Sequence, residues 1–183
     1  MMKELVEFLE YVSKLKLAVR TGWKMLGVKK GETIGSHSFG TMFIAWLLAR
    51  KKKLDVERTI KMALVHDLLE GITGDIAFVE KRYKVKHGLE KEAIPKLKKI
   101  IPEELRDDIL TLIDELDKGK TEESRTVKQA DRLDTTIQAY FYKKIGSGKF
   151  IEYAEEICKE GYSKEILDYI KDLEEKQKIK TRP

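Results

Sequence analysis

The chain has 183 residues, 42% hydrophobic and 38% charged, with a net charge of +5. That is enough apolar material for one domain with a real core, while no run of 18 or more apolar residues exists to span a membrane. A single cysteine, Cys158, excludes an intramolecular disulfide and a cysteine metal site within one chain, and reads as a small packing residue. Both charge signs interleave, Asn is absent, and Gln occurs only at 129, 138 and 177, a profile that fits adaptation to high temperature. The basic clusters Lys51 to Lys53 and Lys96 to Lys99 read as solvated helix ends and faces, so a nucleic-acid partner is not expected. The segment Met1 to Glu7 lacks a signal-peptide pattern, and a cytoplasmic location is the expectation.

The pattern predicts helices nearly throughout, because only three prolines occur and alternating apolar–polar runs are scarce. Leu5, Phe8, Leu9, Val12, Leu15 and Val19 define a first helix. Gly22, Gly27, Gly31 and Gly35 punctuate a loop over about 21–36, and Ser36 is the expected N-cap of a second helix. Asp55 caps a third, with Val56, Ile60, Ala63, Leu64 and Leu68 as its buried stripe and Gly71 as its stop, followed by a turn over 72–76. A helix over about 87–99 follows. Pro102 opens the next, which stops at Gly119. Thr121 caps a long helix to about Ile145, ended by Gly146-Ser147-Gly148. Helices near 149–160 and 163–178 close the chain. The whole reads as one domain over 1–183, with a core at about 5–145 and C-terminal helices at about 149–178.

Chemistry concentrates in Ala63-Leu64-Val65-His66-Asp67-Leu68-Leu69-Glu70. Two metal-ligand types and a further acid interrupt an apolar run, and imidazole with carboxylate suits divalent transition metals. His37 at the start of the second helix and Asp131 inside the long helix are the other candidate ligands. Adjacent helical residues diverge by about 100°, so His66 and Asp67 share an ion only if it lies between them at the mouth of the bundle. Each residue also has an ordinary reading. His37 fits a capped helix start, Asp131 a solvated face, and Asp134 one turn later is either a group supporting a ligand or a surface acid. His87 lies in a polar stretch and reads as a surface residue.

Taken in order, His37, His66-Asp67 and Asp131 resemble the H…HD…D signature of the HD-domain metal-dependent phosphohydrolase superfamily. The closer resemblance is to the HD-domain 5′-deoxynucleotidase family. It is carried by Arg20-Thr21-Gly22-Trp23, Glu32-Thr33-Ile34-Gly35-Ser36-His37, His66-Asp67-Leu68-Leu69-Glu70-Gly71-Ile72-Thr73-Gly74-Asp75 and Val127-Lys128-Gln129-Ala130-Asp131, between about residues 5 and 145.

That resemblance implies an all-α HD-domain bundle holding one divalent metal ion (cobalt, manganese, zinc, nickel, iron or magnesium) on His37, His66, Asp67 and Asp131. It also implies a homodimer that hydrolyses deoxyribonucleoside 5′-monophosphates to deoxynucleoside and phosphate. Glu70, four residues after His66, is assigned as general acid or base. Asp75 is assigned to orient water or Glu70, or to protonate the leaving group; a turn acid after Gly74 is its plain alternative. Arg20 would hold the phosphate through its planar fork. Trp23 would line the sugar pocket or simply pack, and Thr73 would bond the phosphate or cap its turn. After Asp75, Ile76 to Glu80 lacks the proline-containing segment of bacterial members. Two rival functions are a phosphodiesterase or phosphatase acting on another nucleotide, and a non-catalytic nucleic-acid-binding helical module.

Overall fold

Helices α1 (Met2–Leu17), α2 (Thr21–Met25), α3 (Ile34–Lys52), α4 (Val56–Val65), α5 (Glu70–Thr73), α6 (Tyr83–Ile100), α7 (Glu103–Lys118), α8 (Glu122–Lys144) and α9 (Gly161–Lys180) follow one another along the chain. The computed structural model describes residues 2–75, 83–144 and 161–180. Among them the only strand-like pairing is an antiparallel bridge between Val19 and Thr33, so the fold is all-α. The expected helix at 149–160, the Gly146–Gly148 stop, Cys158, the 76–80 segment and the side chain of His87 lie outside the described residues. No helix among the described residues is long and apolar enough to cross a membrane.

α3 is the central element, packed against α8, α4 and α1. Its burial explains its composition. Ile34, Ala45 and Leu48 enter a core shared with Phe8, Tyr11 and Leu15 of α1, Met62 and Val65 of α4, Leu97 of α6, Leu112 of α7 and Val127 of α8. A second cluster of Trp23, Val28, Ala139, Tyr142 and Leu167 ties α2 and α9 to α8. Fully burying a large side chain of this kind contributes roughly 1.5–3 kcal/mol.

The caps correct the sequence reading in detail. α3 begins at Ile34, and its N-cap is Thr33, whose Oγ1 accepts from the Ser36 N–H at 3.1 Å; Ser36 is the donor. Capping needs an acceptor three residues ahead of the amide it satisfies, and Thr33 holds that register. Asp55 caps α4 as expected, accepting from the Arg58 N–H at 2.9 Å. Thr121 Oγ1 does the same for the Ser124 N–H at 3.2 Å. The loop expected over 21–36 contains α2. Val19, placed in the first helix by its spacing, lies beyond the end of α1 in the bridge to Thr33.

The larger correction concerns the third helix. α4 ends at Val65 with His66 as its C-cap, and Leu64 is 57% exposed rather than part of the buried stripe. From there the chain tightens. Leu68 N–H donates to Val65 O at 3.0 Å, Glu70 N–H to Asp67 O at 3.0 Å, and Ile72 N–H to Leu69 O at 2.9 Å. These i to i−3 bonds are of 3₁₀ type. Gly71 and Ile72 fall inside α5, which is stopped by Gly74 at φ 73. Gly71 is there because the Tyr11 ring is. A Cβ on residue 71 would stand 2.7 Å from the Tyr11 Cζ and hydroxyl, and that hydroxyl donates to Leu68 O.

Candidate metal centre

Three separate stretches supply the centre. His37 sits in the first turn of α3, His66 and Asp67 begin the tight turn after α4, and Asp131 lies within α8. His66 keeps αR dihedrals as the C-cap of α4, so the pair at 66–67 still diverges as on a helix, and its two side chains meet at a point between them, His66 Nε2 to Asp67 Oδ2. His37 Nε2 is 3.0 Å from Asp131 Oδ1 and 3.7 Å from Asp67 Oδ2. His66 Nε2 is 3.2 Å from Asp67 Oδ2 and 3.4 Å from His37 Nε2.

These spacings fit a shared cation. Nitrogen and oxygen ligands about 2.0–2.2 Å from one ion stand roughly 3–3.6 Å from one another. The rings are also oriented for it. His66 Nδ1 lies 2.7 Å from Ala63 O, and His37 Nδ1 lies 2.7 Å from Asp134 Oδ2, so each imidazole has an acceptor behind it and turns Nε2 to the centre. Side-chain exposure rises from 0% at His37 and 5% at His66 to 13% at Asp67 and 40% at Asp131. The centre is therefore closed on the α3–α4 side and open beside α8.

The electrostatics describe a place built for positive charge. Burial opposes an imidazolium at His37, but the hydrogen bonds to Asp131 and Asp134 outweigh it and push its pKa up to about 10. Burial also opposes charge on His66, and Asp67 outweighs it, raising that pKa as well. Desolvation works against ionised Asp67 and Asp131, yet the facing imidazoles win and hold both carboxyls below the usual range, Asp131 at about 2. Arg20 is opposed by burial too; Asp131, Asp67 and Glu32 overcome it and raise its pKa.

Arg20 thus shares the field of the centre. Its guanidinium donates to Glu32 Oε1 at 3.0 Å and Thr135 Oγ1 at 3.2 Å, and its side chain is 16% exposed. Glu32, with its side chain 9% exposed, also accepts from Trp23 Nε1 at 2.8 Å, and its N–H donates to the Tyr142 hydroxyl at 2.7 Å. Trp23 is 2% exposed, with its ring edge-on to Tyr142 at 5.1 Å. Glu32 was not singled out by the sequence reading. The signal was there, in a lone acid close to an Arg–Trp pair and ahead of a histidine, but nothing local says that Arg20 needs a counter-ion.

The remaining candidates lie along the α5 turn. Glu70 opens α5 and is 7% exposed. It is not on a helix with His66, so the i to i+4 argument for their shared face does not hold in the fold. Asp75 accepts the Thr21 N–H on its carboxylate, while its backbone O accepts the Thr21 hydroxyl at 2.9 Å, fastening the end of α5 to the start of α2. The Thr73 hydroxyl donates to Gly74 O at 3.0 Å.

An HD domain family model matches residues 12–174. The chain is 32% identical to the mouse 5′-deoxynucleotidase HDDC2 over 173 residues, covering 93% of this chain and 86% of that protein. It is 30% identical to the human 5′-deoxynucleotidase HDDC2 over 175 residues, covering 94% and 85%. Among solved structures, a Pyrococcus horikoshii protein is similar at 32% identity and a TM-score of 0.73, covering 93% of this chain and 98% of that one. The chain belongs to the HD domain family, where it groups with the 5′-deoxynucleotidases; of the ordered residues His37, His66-Asp67 and Asp131, the first three draw together and Asp131 meets His37.

Proposed function

We propose that this protein is a metal-dependent phosphohydrolase that cleaves deoxyribonucleoside 5′-monophosphates, adding water across the phosphate ester to give a deoxynucleoside and inorganic phosphate. The observation that carries this is the meeting of the His37 and His66 Nε2 atoms with the Asp67 carboxylate, with Asp131 against His37, beside the part-buried guanidinium of Arg20. His37, His66, Asp67 and Asp131 would hold one divalent ion. Bound there, it would supply Lewis-acid charge neutralisation for the phosphate and lower the pKa of a coordinated water.

The chain's own groups do the rest. Arg20, braced by Glu32 and Thr135, presents a pre-oriented planar donor to the phosphate oxygens as charge builds on them. Glu70, buried three residues beyond the ligand pair, serves as the general acid–base group, taking the proton of the attacking water or returning one to the departing 5′-oxygen. Asp75 acts through Arg20, by locking the Thr21 amide beside it. Trp23 acts from behind the pocket, holding Glu32 in place. Thr73 stiffens the turn that carries Glu70 and Asp75. The 30–32% identity to proteins named 5′-deoxynucleotidase supports the substrate class.

The functional unit in this reading is a homodimer. α3 presents Phe39, Phe43, Trp46 and Leu47 at 46–65% exposure, with neighbouring rings 5.3 and 6.0 Å apart. A contiguous exposed apolar stripe of this kind marks a contact surface. Sedimentation of wild type against Phe43→Glu tests it; two monomeric samples would refute it.

The deciding experiment is phosphate release from a panel of ribo- and deoxyribonucleoside 5′-monophosphates and cyclic nucleotides. It uses chelated protein reloaded with single metals, and His66→Ala and Glu70→Ala as controls. Release from deoxy monoesters that requires metal and both residues is expected. Activity that survives chelation or His66→Ala would overturn the assignment.

A further inference from the structure

Gly40 and Asp134 are arranged in a way that four metal ligands alone do not demand. On α3, His37 and Gly40 are three residues apart; on α8, so are Asp131 and Asp134. Each pair lies one turn along the face its helix turns to the other. The His37 ring spans the α8 pair, with Nε2 3.0 Å from Asp131 Oδ1 and Nδ1 2.7 Å from Asp134 Oδ2. The ring is 0% exposed and the Asp134 side chain 16%.

The Asp134 carboxylate reaches Nδ1 through space that only glycine leaves. A Cβ on residue 40 would stand 1.9 Å from Asp134 Oδ1 and 2.8 Å from its Cγ. The nearest obstruction is thus the acid itself, pinned by its bond to a fully buried ring. Glycine in a helix interior is destabilising by about 1 kcal/mol relative to alanine, so α3 gives up helix stability at this position.

We infer that Asp134 and Gly40 together are a positioning device for His37. Asp134 accepts a hydrogen bond from Nδ1–H, which leaves the Nε2 lone pair aimed at the centre, and Gly40 is the space that admits the carboxylate. This rests on the metal centre proposed above. Losing a group that orients a ligating histidine typically weakens metal binding 10–100-fold.

The test is calorimetric titration of the chelated protein with zinc, alongside long-range ¹H–¹⁵N spectra of the zinc-loaded, histidine-labelled protein. Asp134→Ala and Gly40→Ala should each weaken zinc binding by about 10–100-fold. In both, the His37 Nδ1–H of the zinc-loaded protein should lose its hydrogen bond to residue 134, read as an upfield proton shift and faster exchange with solvent, while that of His66 persists. Asp134→Asn, which keeps an acceptor oxygen but no charge, should fall between them and wild type. The Gly40→Ala, Asp134→Ala double variant should regain thermal stability relative to Gly40→Ala without regaining zinc affinity, because the clash is gone and the brace is still missing. A purely structural glycine predicts the opposite for Gly40→Ala, a firmer helix with unchanged zinc binding. Wild-type zinc affinity and an unaltered His37 Nδ1–H signal in Asp134→Ala and Asp134→Asn would overturn the inference alone. Zinc binding by His37→Ala equal to wild type would overturn the metal centre itself.

Discussion

His37 and His66 turn the same ring nitrogen to the same point, but they are held by different means. His66 leans on Ala63 O, a backbone acceptor three residues away that no side-chain substitution removes. His37 leans on Asp134, a side chain 97 residues away on another helix. The α4–α5 half of the centre is therefore built locally, by the end of one helix and the tight turn after it. The α3–α8 half exists only when two distant helices pack, and Arg20 belongs to that half through Glu32 and Thr135. A local half tolerates substitution around it; a long-range half depends on each contact that assembles it.

The largest effect that would sharpen this contrast is expected at Arg20. Arg20→Lys keeps the charge and loses the planar fork held between Glu32 and Thr135. Removing hydrogen bonds to a charged group costs about 1.5–3 kcal/mol, so kcat/KM for deoxynucleotide hydrolysis should fall by roughly 10–100-fold while zinc affinity stays near wild type. A kcat/KM equal to wild type would place the long-range half outside substrate binding.

On the local half, Tyr11→Phe removes the hydroxyl that donates to Leu68 O inside the turn. Burial pushes the Tyr11 pKa up to about 12, so the donor is intact at any ordinary pH. Losing it should cost about 1 kcal/mol of stability, read as a fall of roughly 2–4 °C in Tm. An unchanged Tm would show that the turn holds without its brace.

The smallest effect depends on pH. Arg58 of α4 donates from Nε to Glu115 Oε2 of α7 at 2.9 Å, and Thr121 Oγ1 donates to Oε1 at 2.7 Å. The bond from Arg58 holds the Glu115 carboxyl below its ordinary value of 4.5, against an opposing push from burial. A carboxyl depressed in the folded state stabilises the protein above the unfolded value, and that stability is lost as pH falls through the folded value. Wild type should therefore exceed Glu115→Gln in urea denaturation at neutral pH, and the gap should close on acidification below pH 4.5. A gap that widens there would reverse the sign of this contact.

Much of the architecture could be read before folding, because helices announce themselves through a 3.6-residue period and short polar caps. Asp55 and Thr121 stand where that logic puts them. Most of the misses share one cause. The cap at Thr33 turns on a register of three residues, while α2, the end of α4 at Val65 and the exposure of Leu64 are set by what packs alongside. Glu32 and Gly40 escaped notice for the same reason. Their partners, Arg20 and Asp134, are specified by tertiary contact and leave no periodic trace.

By itself the sequence determined an all-helical chain, the order of its ligand-type residues and their kinship with HD-domain proteins, since composition, period and motif order are properties of a string. Only the tertiary structure decided that two imidazoles and the Asp67 carboxylate meet within 3.2–3.7 Å with Asp131 3.0 Å from one of the rings, that one histidine is braced by backbone and the other by a distant acid, and that a glycine makes room for that acid. The reason is physical. Such contacts form between residues far apart along the chain, and their geometry is fixed by how helices pack rather than by any neighbour in sequence.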